Sequence, residues 1–87
     1  MAESFSYFEY YKDIAEQTPT EIHFEGFMPQ KFVITNDDVG QQQLYFKFNG
    51  ETMYGMLKAG ESLSILFRSH VLYLKGDTVL YRAMIFG

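Results

Sequence analysis

The chain has 87 residues and no cysteine, with 47% hydrophobic and 18% aromatic side chains. That is one small domain with ample core material, and it has neither disulfides nor thiolate metal sites to staple it. A net charge of −4 and a pI near 4.9 leave it without the basic footprint of a nucleic-acid binder. No apolar run approaches the length of a membrane span, and the start Met1-Ala2-Glu3-Ser4 lacks the basic and apolar regions of a secretory signal. The expectation is a soluble protein made in a cytoplasm, with neither nucleic acid nor membrane as partner.

The charge divides the chain. Residues 1–30 hold six acids and one base, whereas residues 31–87 hold five acids and six bases. Residues 1–20 read as an acidic, aromatic arm ahead of a domain over residues 21–87. In the arm, Phe5, Phe8, Tyr11 and Ile14 recur at spacings of three, which would line one face of a short helix. Such a helix is marginal in water, so the arm orders only by packing on its own domain or on a neighbour. Thr18-Pro19 ends it.

From there the pattern has a period of two, which suits strands because successive side chains point to opposite faces. Ile22 and Phe24 alternate with Glu21, His23 and Glu25; Gly26 and Met28-Pro29 break the run. Residues 31–35 form an apolar stretch ending in the loop-forming cluster Asn36-Asp37-Asp38-Val39-Gly40. Residues 43–48 face residues 52–58 across Asn49-Gly50-Glu51, a strong hairpin signal, and Gly55 marks a bulge or a close backbone approach. Ala59-Gly60-Glu61 turns into residues 62–68, and Ser69-His70 leads to residues 71–74. Lys75-Gly76-Asp77-Thr78 connects to the last strand, residues 79–86. That strand is apolar on both alternating sets, so it is central or covered by a partner. The sum is an all-β fold, a small antiparallel β-sandwich (jelly-roll-like or Ig-like) of about seven strands with an N-terminal arm or short helix.

No arrangement of residues supplies chemistry. His23 and His70 lie in no ligand cluster, and Asp37-Asp38 lacks EF-hand spacing. Ser62, Ser64 and Ser69 have no G-x-S-x-G elbow, and no phosphate-cradling glycine loop occurs. Glu51 and Glu61 fall in turns of a chain too short for a glycosidase cleft. Accordingly, no catalytic residue, cofactor or metal is expected. Tyr45, Tyr54, Tyr73 and Tyr81 suit a protein interface, where tyrosine is enriched, or a platform for sugar rings.

The succession F-V-I-T-N-D-D, L-Y-F-K-F-N-G-E, G-M-L-K-A-G-E-S-L, L-Y-L-K-G-D and Y-R-A-M-I-F-G resembles small β-sandwich virion proteins of tailed bacteriophages. The matching pieces are Ile34 to Asp37, Leu44 to Gly50, Gly60-Glu61, Leu72 to Gly76 and Tyr81-Arg82, so the resemblance covers residues 32–87 and leaves the acidic arm aside. It implies a non-enzymatic structural role in a virion. Head decoration is the leading placement; neck, tail or baseplate, or a small carbohydrate or host-surface binding module, are the alternatives. Partners would be other virion proteins and the chain itself. Phe5, Phe8 and Tyr11 are the expected arm anchors, and Tyr45, Tyr54, Tyr73 and Tyr81 complete the candidate interface.

Overall fold

Every alternating stretch forms a strand in the computed structural model, which describes residues 5–49 and 53–87. The strands are β1 (Phe8–Ala15), β2 (Thr20–His23), β3 (Lys31–Asn36), β4 (Leu44–Phe48), β5 (Gly55–Leu57), β6 (Ser62–Leu66), β7 (Val71–Gly76) and β8 (Val79–Phe86). One four-stranded sheet has the order β1-β8-β3-β6 and the other β2-β7-β4-β5, with every pairing antiparallel. The first half of the chain pairs with the second in nested fashion: β1 with β8, β2 with β7, β3 with β6, β4 with β5. This is one long hairpin rolled into two facing sheets. Of the two sandwich types expected, the order is that of the eight-stranded jelly roll. The apex residues 50–52, which carry most of the expected hairpin turn, lie outside the described residues.

The extra strand is β1, and it overturns the helical reading of the N-terminal stretch. Along its whole length it pairs with β8, from Phe8 opposite Phe86 to Ala15 opposite Val79. As a strand it turns Phe8, Tyr10, Lys12 and Ile14 to one side and Glu9, Tyr11, Asp13 and Ala15 to the other, so the three-residue spacing of Phe8, Tyr11 and Ile14 is split between faces. Tyrosine and phenylalanine fit a pleated surface better than a helix, and β8 offers backbone partners that a marginal helix lacks. Residues 8–15 are therefore an edge strand of the sandwich. Further backbone bonds fasten β1 at both ends: Gly87 N donates to Tyr7 O (2.9 Å), and Gly76 N donates to Glu16 O (3.0 Å).

Between the sheets lie the fully buried Phe32, Ile34, Leu44, Leu72, Leu74, Val79, Ala83 and Ile85. Aromatic rings thread this core from one sheet to the other. Phe24 meets Phe32 at 5.9 Å, Phe32 meets Phe48 at 4.8 Å, and Phe48 meets Phe67 at 4.9 Å between centroids. Burying each such side chain contributes about 1.5–3 kcal/mol. Gly55 sits opposite Phe46, where a Cβ would overlap the Phe46 ring, so the expected close approach comes from a side chain across the hairpin.

The cluster after β3 is a structural knot. Asn36 is fully buried; its Nδ2 donates to Gln42 O and Leu57 O, each at 3.0 Å, while its Oδ1 accepts from Asp38 N at 2.9 Å. The Asp38 carboxylate accepts from Gly40 N and Gln42 N, which closes the loop, and Asp37 pairs with Arg82. Three backbone groups, one of them 21 residues along the chain, thus depend on one amide. Asn36→Ala leaves Leu57 O buried and unpaired and strips Gln42 O and Asp38 N of their partners, so it should cost about 2–4 kcal/mol, read as a lowered urea midpoint with unchanged slope. A loss under about 0.5 kcal/mol would mean the knot carries no stability.

Candidate interaction surfaces

Each sheet presents an outer face, and strand register dictates what stands on it. On β2-β7-β4-β5, Tyr45 lies opposite Lys75 and Lys47 opposite Tyr73, a checkerboard of rings and ammonium groups. Tyr54, just before β5, completes it. Lys47 Nζ lies 4.9 Å from the ring centroids of both Tyr54 and Tyr73, and Lys75 Nζ lies 4.2 Å from Tyr54 and 6.0 Å from Tyr45. Neither lysine has a carboxylate partner among the described residues. All five side chains are half-buried by one another, so the middle of this face covers itself, and Met56, opposite Tyr45 on the edge strand β5, is its exposed apolar residue.

The outer face of β1-β8-β3-β6 does not. Its rows, read across the strands, are Phe8, Phe86, Lys31, Leu66; then Tyr10, Met84, Val33, Ser64; then Lys12, Arg82, Thr35, Ser62; and Ile14 with Leu80. Phe8 packs on Phe86 at 5.0 Å and Phe5 reaches the same ring at 5.6 Å, yet the surface stays open. Phe8 is 54% exposed, Tyr10 50%, Ile14 47%, Leu66 64% and Leu80 37%. The third row carries the polar exception: Arg82 donates to both Asp37 oxygens, which holds its guanidinium pKa above the ordinary value.

The seven expected interface residues therefore part company. Tyr45, Tyr54 and Tyr73 converge on one sheet; Phe8 lies on the outer face of the other, with Phe5 beside it. Tyr11 points inward at the sandwich margin, edge-on to Phe24 at 6.2 Å, and its hydroxyl donates to Glu9 Oε1 at 2.6 Å. Tyr81 is 2% exposed and belongs to the core, so it is withdrawn from the interface. Sequence reasoning missed Tyr10, Ile14, Leu66, Leu80 and Met84 as surface. The available signal was Arg82, whose parity marks the set Leu80, Arg82, Met84, Phe86 as outward.

Groups that could do chemistry are engaged or scattered. His23 is exposed beside Glu21 at 3.2 Å, and the Ser62 and Ser69 hydroxyls are tied to Thr35 Oγ1 and Val71 O. Among the described residues no three His, Cys, Asp or Glu side chains gather as a metal site, and no helix is long and apolar enough to cross a membrane. No protein-family model, curated protein or solved structure matches this chain.

Burial, and then the hydrogen bond to Glu9, pushes the Tyr11 pKa up to about 12; burial first and Asp13 second raise that of Tyr81. A tyrosine pKa raised by folding contributes stability that is complete below the unfolded value of 10 and is lost as pH climbs toward the folded value. The urea midpoint should therefore fall above pH 10, and Tyr11→Phe should make that fall shallower, with Tyr81 leaving a residual slope. Equal steepness in both proteins would contradict the role given to Tyr11.

Proposed function

We propose that this chain is a non-enzymatic structural subunit of a tailed-phage virion, on the head surface by preference, that works by docking its β1-β8-β3-β6 face on copies of itself and on other particle proteins. The observation that carries the reading is the open apolar surface formed by Phe8, Tyr10, Ile14, Leu66 and Leu80. Their exposed parts come to roughly 500 Å², the size of the largest apolar patch on many monomers, which is often functional, and the Lys12–Arg82 row crosses it. Two such faces together reach the ~1,000 Å² that a specific interface requires. The resemblance of residues 32–87 to small virion proteins supplies the particle, and the jelly roll, which recurs in viral capsids, agrees with it at the level of fold analogy.

In a particle, many copies convert a modest contact into strong attachment. The exposed edges β1 and β6 of the same sheet flank the docking face and offer unpaired backbone groups to a neighbour. Convergence of Tyr45, Tyr54 and Tyr73 on the opposite sheet favours a second reading, a saccharide-binding module, whose site is argued below.

The deciding measurement is mass in solution by sedimentation equilibrium over a range of concentrations. The parent chain should form a defined oligomer. Tyr10→Glu with Leu80→Glu should weaken association at least tenfold while leaving the circular dichroism spectrum intact, because both side chains already face water. A parent that stays monomeric at every concentration would rule out self-docking through this face.

A further inference from the structure

On the sheet turned away from the docking face, at the margin of the tyrosine–lysine checkerboard, lies a cavity of about 260 Å³ lined by Gln17, Tyr45, Lys75, Gly76 and Asp77. Three separate pieces of chain build it. Tyr45 and Lys75 are cross-strand partners on β4 and β7, Gln17 comes from the β1–β2 connection, and Asp77 comes from the turn that carries the chain from one sheet to the other.

The walls are held in place. Gly76 N donates to Glu16 O at 3.0 Å and Thr78 Oγ1 donates to Glu16 Oε1 at 3.1 Å, which ties the β1–β2 connection to the turn. Gly76 itself is buried, and a Cβ there would press on Val79 Cγ2 at 2.7 Å and Gln43 O at 3.1 Å. The Tyr45 hydroxyl donates to Gln43 Oε1 at 2.7 Å, fixing the ring, and Lys75 Nζ is steered over the Tyr54 ring at 4.2 Å. The backbone walls and the Tyr45 ring are fixed before binding, which reduces the ordering cost that a weak ligand must overcome, while the exposed Gln17 and Asp77 side chains order on contact.

The lining has a definite chemistry. One side is the aromatic body of Tyr45, suited to the C–H face of a ring. The Gln17 amide offers donors and an acceptor, the Asp77 carboxylate accepts, and the Lys75 ammonium donates. Neither Gln17 nor Asp77 has a side-chain partner among the described residues. Asp77 and Lys75 both line the cavity, so its formal charges balance, which disfavours an anionic ligand beside Asp77 and a cationic one beside Lys75. Vicinal hydroxyls, each both donor and acceptor, match this set. The volume equals that of about nine waters in the liquid and lies just under the usual range of small-molecule pockets, room for one small ring.

We propose that this cavity binds one neutral sugar ring, stacked on Tyr45 and hydrogen-bonded through its vicinal hydroxyls to Gln17, Lys75 and Asp77. The proposal stands apart from the docking reading, since it uses the opposite sheet. A single exposed ring binds weakly, with a dissociation constant on the order of 1 mM.

The test is a titration of the full ¹⁵N-labelled chain with D-glucose, D-galactose, D-mannose and N-acetyl-D-glucosamine, with glycerol and tetraglutamate as comparators. At least one sugar should shift the amides of Gln17, Tyr45, Lys75, Gly76 and Asp77 in a saturable way, with glycerol inert. Tyr45→Ala and Asp77→Asn should each weaken binding at least fivefold, with dispersed spectra showing that both remain folded. Tyr10→Glu, on the far face, should bind as the parent does. Silence with all four sugars, equal shifts with glycerol, or saturation untouched by both cavity variants would overturn the proposal. So would selective binding of tetraglutamate, which would assign the lysines to an acidic peptide instead.

Discussion

Strand β8 carries apolar side chains on both faces, and satisfying it determines how the rest of the chain is arranged. Its inner set, Val79, Tyr81, Ala83 and Ile85, must be roofed by a second sheet, and the Leu44, Leu72 and Leu74 side chains supply that roof. Its backbone must find partners on both edges, and β1 and β3 take those places. With β1 and β3 on either side of β8, β2 and β4 flank β7 in the other sheet and β5 pairs with β4, which completes the nested order. The rolled hairpin suits a strand that is apolar on both faces and cannot serve as an edge.

The outer set of β8 remains, and here the two sheets differ. On β2-β7-β4-β5 the register alternates tyrosine with lysine, so each ammonium lies over a neighbouring ring and each lysine stem covers apolar surface. Such contacts contribute about 0.5–1 kcal/mol each where water is near. On β1-β8-β3-β6 the register sets apolar residues beside apolar residues in the rows of Phe8, Tyr10 and Ile14, and the polar row of Lys12, Arg82, Thr35 and Ser62 runs between them. One face is covered within the chain except at Met56 on its edge strand. The other is unfinished, and an unfinished apolar face is what an assembling subunit needs.

Much of this was legible because short apolar-rich runs bounded by turn residues leave little freedom: residues 31–35, 43–48, 62–68 and 79–86 each contain a strand. The N-terminal stretch was misread because Phe8, Tyr11 and Ile14 satisfy a helical spacing as well, and only the backbone demand of β8, about seventy residues away, decides between them. Asn36 was legible as a turn residue and illegible as the keystone of a buried corner, since its partners Gln42 O and Leu57 O are placed by the β4–β5 hairpin. Tyr45 and Tyr73 share a face by parity and register, whereas Tyr81 goes inward because Arg82 next to it cannot. The cavity could not be foreseen at all: Gln17, Lys75 and Asp77 have no shared pattern, and meet only because Glu16 is bonded to Gly76 and Thr78.

The fold also constrains how the two proposed roles coexist. The sheets of a sandwich lie about 10 Å apart and face away from one another, so a subunit seated on β1-β8-β3-β6 turns β2-β7-β4-β5 outward. The tyrosine–lysine face and its cavity then become the exposed side of the assembly. Repetition multiplies whatever that side binds, and a site too weak to matter in one copy gains strength in an array whose copies can engage together. Docking on the open face is therefore what would give the cavity on the closed face its consequence.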